Sequence, residues 1–303
     1  SRLVGTCALF IYLRSAELLP AAMGNTSNAC QCLQCNDTDG GNSIEDVLPS
    51  REAGELEFGK QSNGNREQRP EHTFDNGAKF VGQWLGTMRD GHGVQTWPDG
   101  AKYEGEWIND KAEGKGTFKH AEGDVYEGSW LNDKAHGQGT YTHIDGSRYD
   151  GEWREDKQNG HGREVWPDGA YYEGQFKTGN KSGSGTFVWV DNSTYKGQFL
   201  DNDVHGQGEY TWGDGRRYTG QWKKNQMHGK GEFTWADGRV YDGEYVNDQK
   251  HGVGNFRWPD GRQYVGQWSD GKQHGSGEYT KGDGETRKGE WEDGRRIRWL
   301  TTN

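Results

Sequence analysis

The chain is dominated by a unit of 23 residues that recurs without insertion or deletion from Phe80 onward. Residues 241–263 form a representative copy, which reads YDGEYVNDQKHGVGNFRWPDGRQ. The ten copies open at Phe80, Tyr103, Tyr126, Tyr149, Tyr172, Tyr195, Tyr218, Tyr241, Tyr264 and Arg287. A unit this short cannot bury a core alone, so the repeat predicts an array in which each unit packs against its neighbours.

The pattern inside the unit predicts two strands. If the opening residue is position 0, position 2 is glycine and position 4 is aromatic in all ten copies. Positions 11 and 13 are glycine, and positions 15 and 17 are mostly aromatic. Each group shares one parity, which is the period of a strand with one buried face. An acidic residue at position 19 precedes glycine, or once Asn192, which predicts a turn with positive φ.

These strands predict the fold class: an all-β, elongated, single-layer antiparallel meander of about ten stacked β-hairpin repeats, roughly 90 Å long, with an aromatic and a polar face. We expect position 0 to face position 15, glycine 2 to face glycine 13, and the position 4 ring to face glycine 11. Between units, the next position 4 ring should face glycine 13. A half unit at residues 74–77 should cap the start, and Ile297, Trp299 and Leu300 should cap the end.

Composition fits a thin aromatic core. Hydrophobic residues make up only 29% of the chain, while aromatic residues make up 13% and there are 50 glycines. The net charge of −11 argues against a nucleic-acid partner, because such binding depends on basic side chains that neutralise phosphates. No run reaches the ~18 to 20 apolar residues that a membrane-spanning helix needs, so none is predicted.

The sequence divides into three regions. Residues 71–303 are predicted to form the array, and residues 23–70 are predicted to be a disordered tail and linker rich in polar residues. Residues 1–22 are either an upstream translated segment or a weak secretory signal.

The tail carries a candidate lipidation signal. Gly24 directly follows a methionine, although the hydroxyl residue of the myristoylation pattern lies one position too early, and Cys30, Cys32 and Cys35 follow closely. Acyl groups on these cysteines would supply the second anchor that one myristoyl chain requires. An inert tail and a soft-metal site are the alternatives, and the latter lacks a nearby fourth ligand.

No catalytic, cofactor or metal site is predicted. His136, His205, His228, His251 and His274 share position 10. Equivalent atoms in successive units should lie about 9.6 Å apart, too far to share one metal ion. A turn-stabilising or solvent-facing role is expected for them, with pH-dependent partner binding as a second interpretation.

The motif Tyr-x-Gly-x-Trp followed by Gly-x-Gly and Asp-Gly resembles the MORN repeat family over residues 74–291. The arrays of junctophilins, radial-spoke head proteins and plant phosphatidylinositol-phosphate kinases are of this kind. The resemblance implies an elongated interaction platform, sometimes near membranes. Unlike the kinase and methyltransferase members, this sequence shows no catalytic domain after the array, so no enzymatic activity is expected.

The leading functional hypothesis is a cytoplasmic, non-catalytic scaffold, peripheral at a membrane or a cytoskeletal or ciliary structure. Its aromatic face would bind a helix or an extended segment of a protein partner. The predicted contact residues are Tyr126, Tyr149, Tyr172, Tyr195, Tyr218, Tyr241, Trp189, Trp212, Trp235 and Trp258. The alternative functions are an axonemal radial-spoke-type protein and a phosphoinositide-binding module of a lipid kinase. Separately, the free edges of the sheet suggest that two copies pair.

Overall fold

A computed structural model describes residues 65–300, and these form one antiparallel sheet of 21 strands. The strands are β1 Glu67–Thr73, β2 Lys79–Leu85, β3 Met88–Thr96, β4 Lys102–Ile108, β5 Lys111–Lys119, β6 Val125–Leu131, β7 Lys134–Thr142, β8 Arg148–Arg154, β9 Lys157–Val165, β10 Tyr171–Lys177, β11 Asn180–Val188, β12 Thr194–Leu200, β13 Asp203–Thr211, β14 Arg217–Lys223, β15 Gln226–Thr234, β16 Val240–Val246, β17 Gln249–Arg257, β18 Gln263–Ser269, β19 Lys272–Thr280, β20 Thr286–Glu292 and β21 Arg295–Trp299.

Each strand pairs with the next strand in sequence, which confirms the predicted meander. One seven-residue and one nine-residue strand make up each of the nine complete units, as in β4 and β5. Burial alternates along β4 so that Tyr103, Gly105 and Trp107 are buried and their neighbours are exposed. The core is therefore a single layer of rings on one face of the sheet.

The predicted register holds for half of the hairpin only. Tyr103 pairs with Phe118 and Gly105 with Gly116, as expected, but a β-bulge follows and Trp107 then pairs with Ala112 instead of Gly114. The position 11 glycine instead faces the tryptophan of the following unit, as Gly114 faces Trp130. Both predicted partners of the position 4 ring are therefore wrong, because the alternation of residue types does not reveal the bulge.

The bulge depends on positions 11 and 3. Gly206, at position 11, has a φ of 63°, which favours glycine. The side chain of Gln198, at position 3, folds over it and accepts a hydrogen bond from the Gln207 amide at 2.8 Å. Six units make this bond, and position 3 is Gln or Glu in nine units and Ser129 in the tenth.

The two kinds of turn also follow from the sequence. At the Asp-Gly turns the glycines adopt positive φ, as does Asn192 at 63°. The acidic side chain of position 19 accepts a hydrogen bond from the backbone amide of position 21, as Asp168 does from Ala170. In the other turn, the position 7 side chain accepts an amide of the preceding unit, as Asp133 does from Ala112 at 2.7 Å. Burial raises the pKa of the Asp133 carboxyl. This bond joins successive units across the turn.

The sheet ends differ from expectation. β1 begins inside the stretch predicted as linker and carries Pro70, a residue typical of edge strands. Phe74 and Trp299 pack against the core as predicted caps, whereas Ile297 is 58% exposed and Leu300 is 37% exposed. Ile297 and Leu300 therefore do not cap the array.

Candidate functional site

The aromatic face contains two ladders of rings. The inner ladder consists of positions 0 and 4. Tyr126 contacts Trp130 of its own unit at 5.1 Å and Trp153 of the next unit at 5.2 Å between ring centroids, both in T-shaped geometry. The same zigzag runs unit by unit from Phe80 to Trp291. Edge-to-face contacts of this kind stabilise beyond the area they bury.

The tyrosines of the inner ladder are fully committed to the fold. Each ring lies on the glycine pair of its own hairpin, so a Cβ added to Gly128 would lie 2.5 Å from the Tyr126 hydroxyl. In all eight units that open with tyrosine, the hydroxyl donates to the carbonyl oxygen three residues ahead, at 2.9–3.1 Å. Burial raises the pKa of the Tyr126 and Tyr172 phenols, and it raises that of Tyr264 to about 12.

Five of the seven inner-ladder tryptophans use their indole nitrogen within the sheet, whereas Trp84 Nε1 is buried without an acceptor among residues 65–300. The indole Nε1 of Trp130 donates to the carbonyl oxygen of Gly116, at position 13 of the preceding unit, at 3.1 Å. The same bond is made by Trp107, Trp153, Trp222 and Trp268. These residues therefore hold consecutive units together.

The outer ladder consists of positions 15 and 17 and lies beside the Asp-Gly turns. From Trp166 to Trp258 its rings alternate between the two positions with centroids 4.4–5.3 Å apart. We call its position 17 members the tryptophan row: Trp166, Trp189, Trp212, Trp235 and Trp258. Four of the five are only partly buried, whereas Trp212 is 5% exposed.

The tryptophan row differs from the inner ladder in its hydrogen bonding. Within residues 65–300, the indole nitrogens of Trp189, Trp235 and Trp258 donate to no protein group, yet they are not buried. Trp212 Nε1 is buried without a partner. The Trp166 indole nitrogen likewise has no acceptor among these residues and is not buried, so four indole N–H donors on a partly exposed apolar strip are available to a bound molecule.

The predicted contact residues thus fall into two classes. The tyrosines are not exposed as expected: Tyr126, Tyr172, Tyr195, Tyr218 and Tyr241 are 0% exposed and Tyr149 is 2% exposed. They are covered because each is enclosed by two neighbouring rings and its glycine floor. Trp189, Trp235 and Trp258 remain accessible and adjoin the buried Trp212 in one row. Only this second class can contact a partner without rearrangement of the core.

Charged groups interrupt the outer ladder before the tryptophan row. Glu164 replaces the position 15 ring and pairs with Lys181 at 2.7 Å, and both side chains are buried. The Lys181 ammonium also lies 5.0 Å from the Trp166 ring centroid. Further toward the N-terminus, Asp124 accepts the Tyr141 hydroxyl at 2.8 Å. The continuous apolar strip therefore begins at Trp166.

A row of arginines lies along the C-terminal part of the strip, and it was not predicted from the sequence. Position 21 is Ala, Ser or Asp in six successive turns from Ala78 to Ser193, and then Arg in the next three. We call Arg216, Arg239 and Arg262 the rim arginines. Each guanidinium lies 5.3 Å from the ring centroid of the tryptophan four residues earlier. The change at position 21 is visible in the aligned repeats and could have indicated this feature.

Lys250 adds a cation below the row. Its ammonium lies 5.1–5.7 Å from the ring centroids of Trp235, Tyr241, Phe256 and Trp268. Cation–π attraction of this kind is strongest for Trp and favours a positive charge among the rings. The strip thus has partly exposed arginines along its edge and one lysine among its aromatic side chains.

The remaining predicted features give no further site. Among residues 65–300, no group of three or more His, Cys, Asp or Glu side chains is placed to hold a metal ion. His251 and His274 are exposed, whereas the position 17 residue His120 is partly buried and desolvation lowers its pKa. The polar face carries a depression lined by charges of both signs, including Glu127, Lys115 and Arg148.

The proposed lipidation residues Gly24, Cys30, Cys32 and Cys35 lie outside the residues that the structure describes. Between residues 65 and 300, no helix has the length and apolar character needed to cross a bilayer.

Comparison with known proteins supports the repeat assignment. The model of the MORN repeat matches nine segments: residues 80–102, 103–125, 126–148, 149–171, 172–194, 195–216, 218–238, 241–261 and 264–286. A search of curated proteins found no significant match.

Several solved β-structures show limited similarity to this chain. The TCP10 domain of Danio rerio CPAP is 13% identical with a TM-score of 0.38, covering 69% of this chain and 99% of that one. The TCP domain of Drosophila melanogaster dCPAP, solved with a proline-rich motif of Ana2, is 11% identical with a TM-score of 0.30, covering 73% and 99%. Virginiamycin B lyase from Staphylococcus aureus is 13% identical with a TM-score of 0.14, covering 76% and 72%.

Members of the MORN family are typically non-catalytic, and their repeats generally serve as scaffold modules that bind proteins or membranes. With nine consecutive matched units, the register of glycines and the two ring ladders, the chain belongs to the MORN repeat family.

Proposed function

We propose that this chain is a non-catalytic scaffold that binds a protein partner along the tryptophan row and is held at a membrane by an acylated N-terminal tail. The observation that supports the binding site is the contrast between the two sets of tryptophans. Five of the seven in the inner ladder donate to glycine carbonyls, whereas Trp189, Trp235 and Trp258 keep accessible indole donors on an apolar strip. Partly exposed aromatic residues with a free polar atom are typical of interface anchors.

The binding site can be tested with a photo-crosslinking residue at Val190, which is 60% exposed beside Trp189. We expect crosslinks to a discrete partner in cells, and their loss when Trp189, Trp235 and Trp258 are replaced together by alanine. A crosslinker at Ile108, which is 47% exposed at a polar-face position, is the matched control. Equal crosslinking from both sites, or crosslinks that survive the triple substitution, would contradict the proposal.

The membrane tether is tested separately. If Gly24 is myristoylated and the nearby cysteines are palmitoylated, Gly24→Ala should release the chain from the membrane fraction. Replacing Cys30, Cys32 and Cys35 by serine should weaken the attachment without affecting the crosslinks from Val190. Mass spectrometry of the mature N-terminus measures the acylation directly, and an unmodified Gly24 with thiol-form cysteines would rule it out.

Two alternative functions lead to different results. A phosphoinositide-binding module requires that the array alone, without residues 1–64, floats with liposomes containing phosphoinositide; the net charge of −11 opposes this. An axonemal structural role requires that the same truncated chain still localises to cilia. Cytosolic distribution of the truncated chain would favour the tethered scaffold over both alternatives.

A further inference from the structure

The rim arginines are only partly used within the fold. Each Nε donates to the carboxylate of the turn aspartate two residues earlier, as Arg216 does to Asp214 at 2.8 Å. Within residues 65–300, the Nη groups of Arg216 and Arg239 donate to no protein group. The three side chains remain 30%, 34% and 45% exposed. The Arg262 guanidinium also donates to the Tyr279 hydroxyl. Because a guanidinium has five N–H donors, each of the three still has donors for an external carboxylate while it keeps its own ion pair.

The rim arginines occur once per unit, so they lie two strand spacings apart, about 9.6 Å. A polyproline II helix has three residues per turn and a rise of about 3.1 Å, which places every third side chain on one side at intervals of about 9.3 Å. An extended strand alternates its side chains and cannot present every third residue to one rim. An α-helix presents every seventh residue on one side at intervals of about 10.5 Å. Its difference from the arginine spacing is roughly three times that of the polyproline II helix.

The tryptophan row supplies the other contacts that such a segment needs. A polyproline II backbone has no internal hydrogen bonds, so its carbonyl oxygens can accept from the free indole donors of Trp235 and Trp258. Aromatic-lined grooves bind this conformation through contacts with its proline rings. The spacing of the arginine–tryptophan pairs and their free donors therefore suit the period and the polarity of a proline-rich chain.

We propose that the partner segment of this scaffold is a polyproline II helix with an acidic residue at every third position, whose carboxylates pair with the rim arginines. This inference depends on the proposed binding function of the tryptophan row. The row of arginines is preceded by Ser193 and followed by Glu285 at the same position. Three acidic residues in this register therefore define the charged part of the segment.

The test measures binding of the peptide (Pro-Pro-Glu)4 to the full chain by calorimetry. We expect saturable binding below about 1 mM that weakens with salt, because exposed ion pairs are screened. The neutral peptide (Pro-Pro-Gln)4 should bind about tenfold more weakly, as three exposed ion pairs of modest strength would contribute. A helical peptide with glutamate at every seventh residue should bind more weakly than (Pro-Pro-Glu)4.

The matched variants identify the surface. R216Q/R239Q/R262Q should weaken (Pro-Pro-Glu)4 binding about tenfold and remove its salt dependence, while its circular dichroism and melting temperature remain close to wild type. The control R217Q/R257Q removes two arginines from polar-face positions and should leave the affinity unchanged.

Equal binding of the glutamate and glutamine peptides, an equal effect of both variants, or absence of binding would overturn the inference. Tighter binding of the helical peptide would also overturn it, although the proposed function would stand if that binding required the tryptophan row. The crosslinking experiment at Val190 does not use these peptides. It therefore tests the proposed function separately: crosslinks that survive substitution of the tryptophan row would refute that function, whatever the peptides do.

Discussion

At the scale of single residues, glycine and tyrosine act as one packing unit. The sequence predicts that glycines 11 and 13 face the tryptophan of position 4, but the ring that lies on the glycine pair of positions 2 and 13 is the position 0 residue, Phe80 in the first unit and tyrosine in the next eight. Tyr126 lies on Gly128 and Gly139. This could not be predicted, because alternation places positions 0 and 4 on one face without showing which way each side chain leans.

Crowding at this pair predicts a large effect of a single methyl group. In Gly128→Ala the new Cβ would lie 2.6 Å from the Gly139 Cα, which is backbone and cannot move aside. We expect a loss of about 3 kcal/mol in the free energy of unfolding. Gly169→Ala is the control: its φ is 90° but nothing lies within 4 Å, so a loss of about 1 kcal/mol is expected. Denaturant unfolding measures both, and equal losses would contradict this packing.

The buried phenols also predict a limit on stability at high pH. Burial raises the pKa of seven inner-ladder tyrosines above the value of about 10 expected in the unfolded chain, and that of Tyr264 to about 12. Their contribution is therefore complete below about pH 10 and is lost as pH rises through the folded-state values. The melting temperature should fall steeply above about pH 10, and the tyrosinate absorbance of these buried residues should appear together with unfolding. Ionisation of these residues near pH 10 in a chain that stays folded would be inconsistent with their burial.

At the scale of the hairpin, the bulge sets the register between units. Gln198 accepts the amide of Gln207 above Gly206, so its side chain serves a structural role on the polar face. The recurrence of Gln or Glu at position 3 is visible in the sequence. Its meaning is not, because a polar residue at an exposed strand position is ordinary unless the bulge is known.

Removal of this side chain should therefore destabilise the hairpin. Gln198→Ala leaves the Gln207 amide without its acceptor, and we expect a loss of about 1 kcal/mol. Gln207→Ala keeps that backbone amide and changes an exposed side chain, so its effect should stay within about 0.5 kcal/mol. Hydrogen exchange of the Gln207 backbone amide reports this bond directly. Unchanged protection of that amide in Gln198→Ala would show that the Gln198 side chain is not needed to hold the bulge.

The buried ion pair of Glu164 and Lys181, which joins neighbouring hairpins, leads to a second prediction at this scale. Glu164 and Lys181 are 5% and 9% exposed at their side chains, so Glu164→Gln leaves a buried ammonium without its charge partner. We expect a loss of about 3 kcal/mol or more. The double substitution Glu164→Phe with Lys181→Met introduces the residue types that other units carry at positions 15 and 9, as in Phe233 and Met227. The double variant should recover most of the stability in thermal unfolding. A double variant no more stable than Glu164→Gln would show that apolar side chains cannot replace the buried ion pair at this place.

At the scale of the whole molecule, the array separates residues that build the sheet from residues that are available for binding. The period of 23 residues was sufficient to predict the fold, because ten in-register copies allow few other arrangements. It was not sufficient to separate the two sets of tryptophans, since positions 4 and 17 differ in function only through their cross-strand neighbours. Trp130 has the carbonyl of Gly116 as an acceptor, and Trp235 has none within the described residues.

The indole N–H signals of isotope-labelled tryptophan measure this division most directly. In deuterated water, we expect the signals of Trp130, Trp153 and Trp222 to persist, because their donors are bonded inside the sheet. Those of Trp189 and Trp235 should exchange rapidly and should be the ones that shift when (Pro-Pro-Glu)4 is added. Rapid exchange of the inner-ladder signals, or protection of Trp189 and Trp235 in the free chain, would contradict this division of the tryptophans.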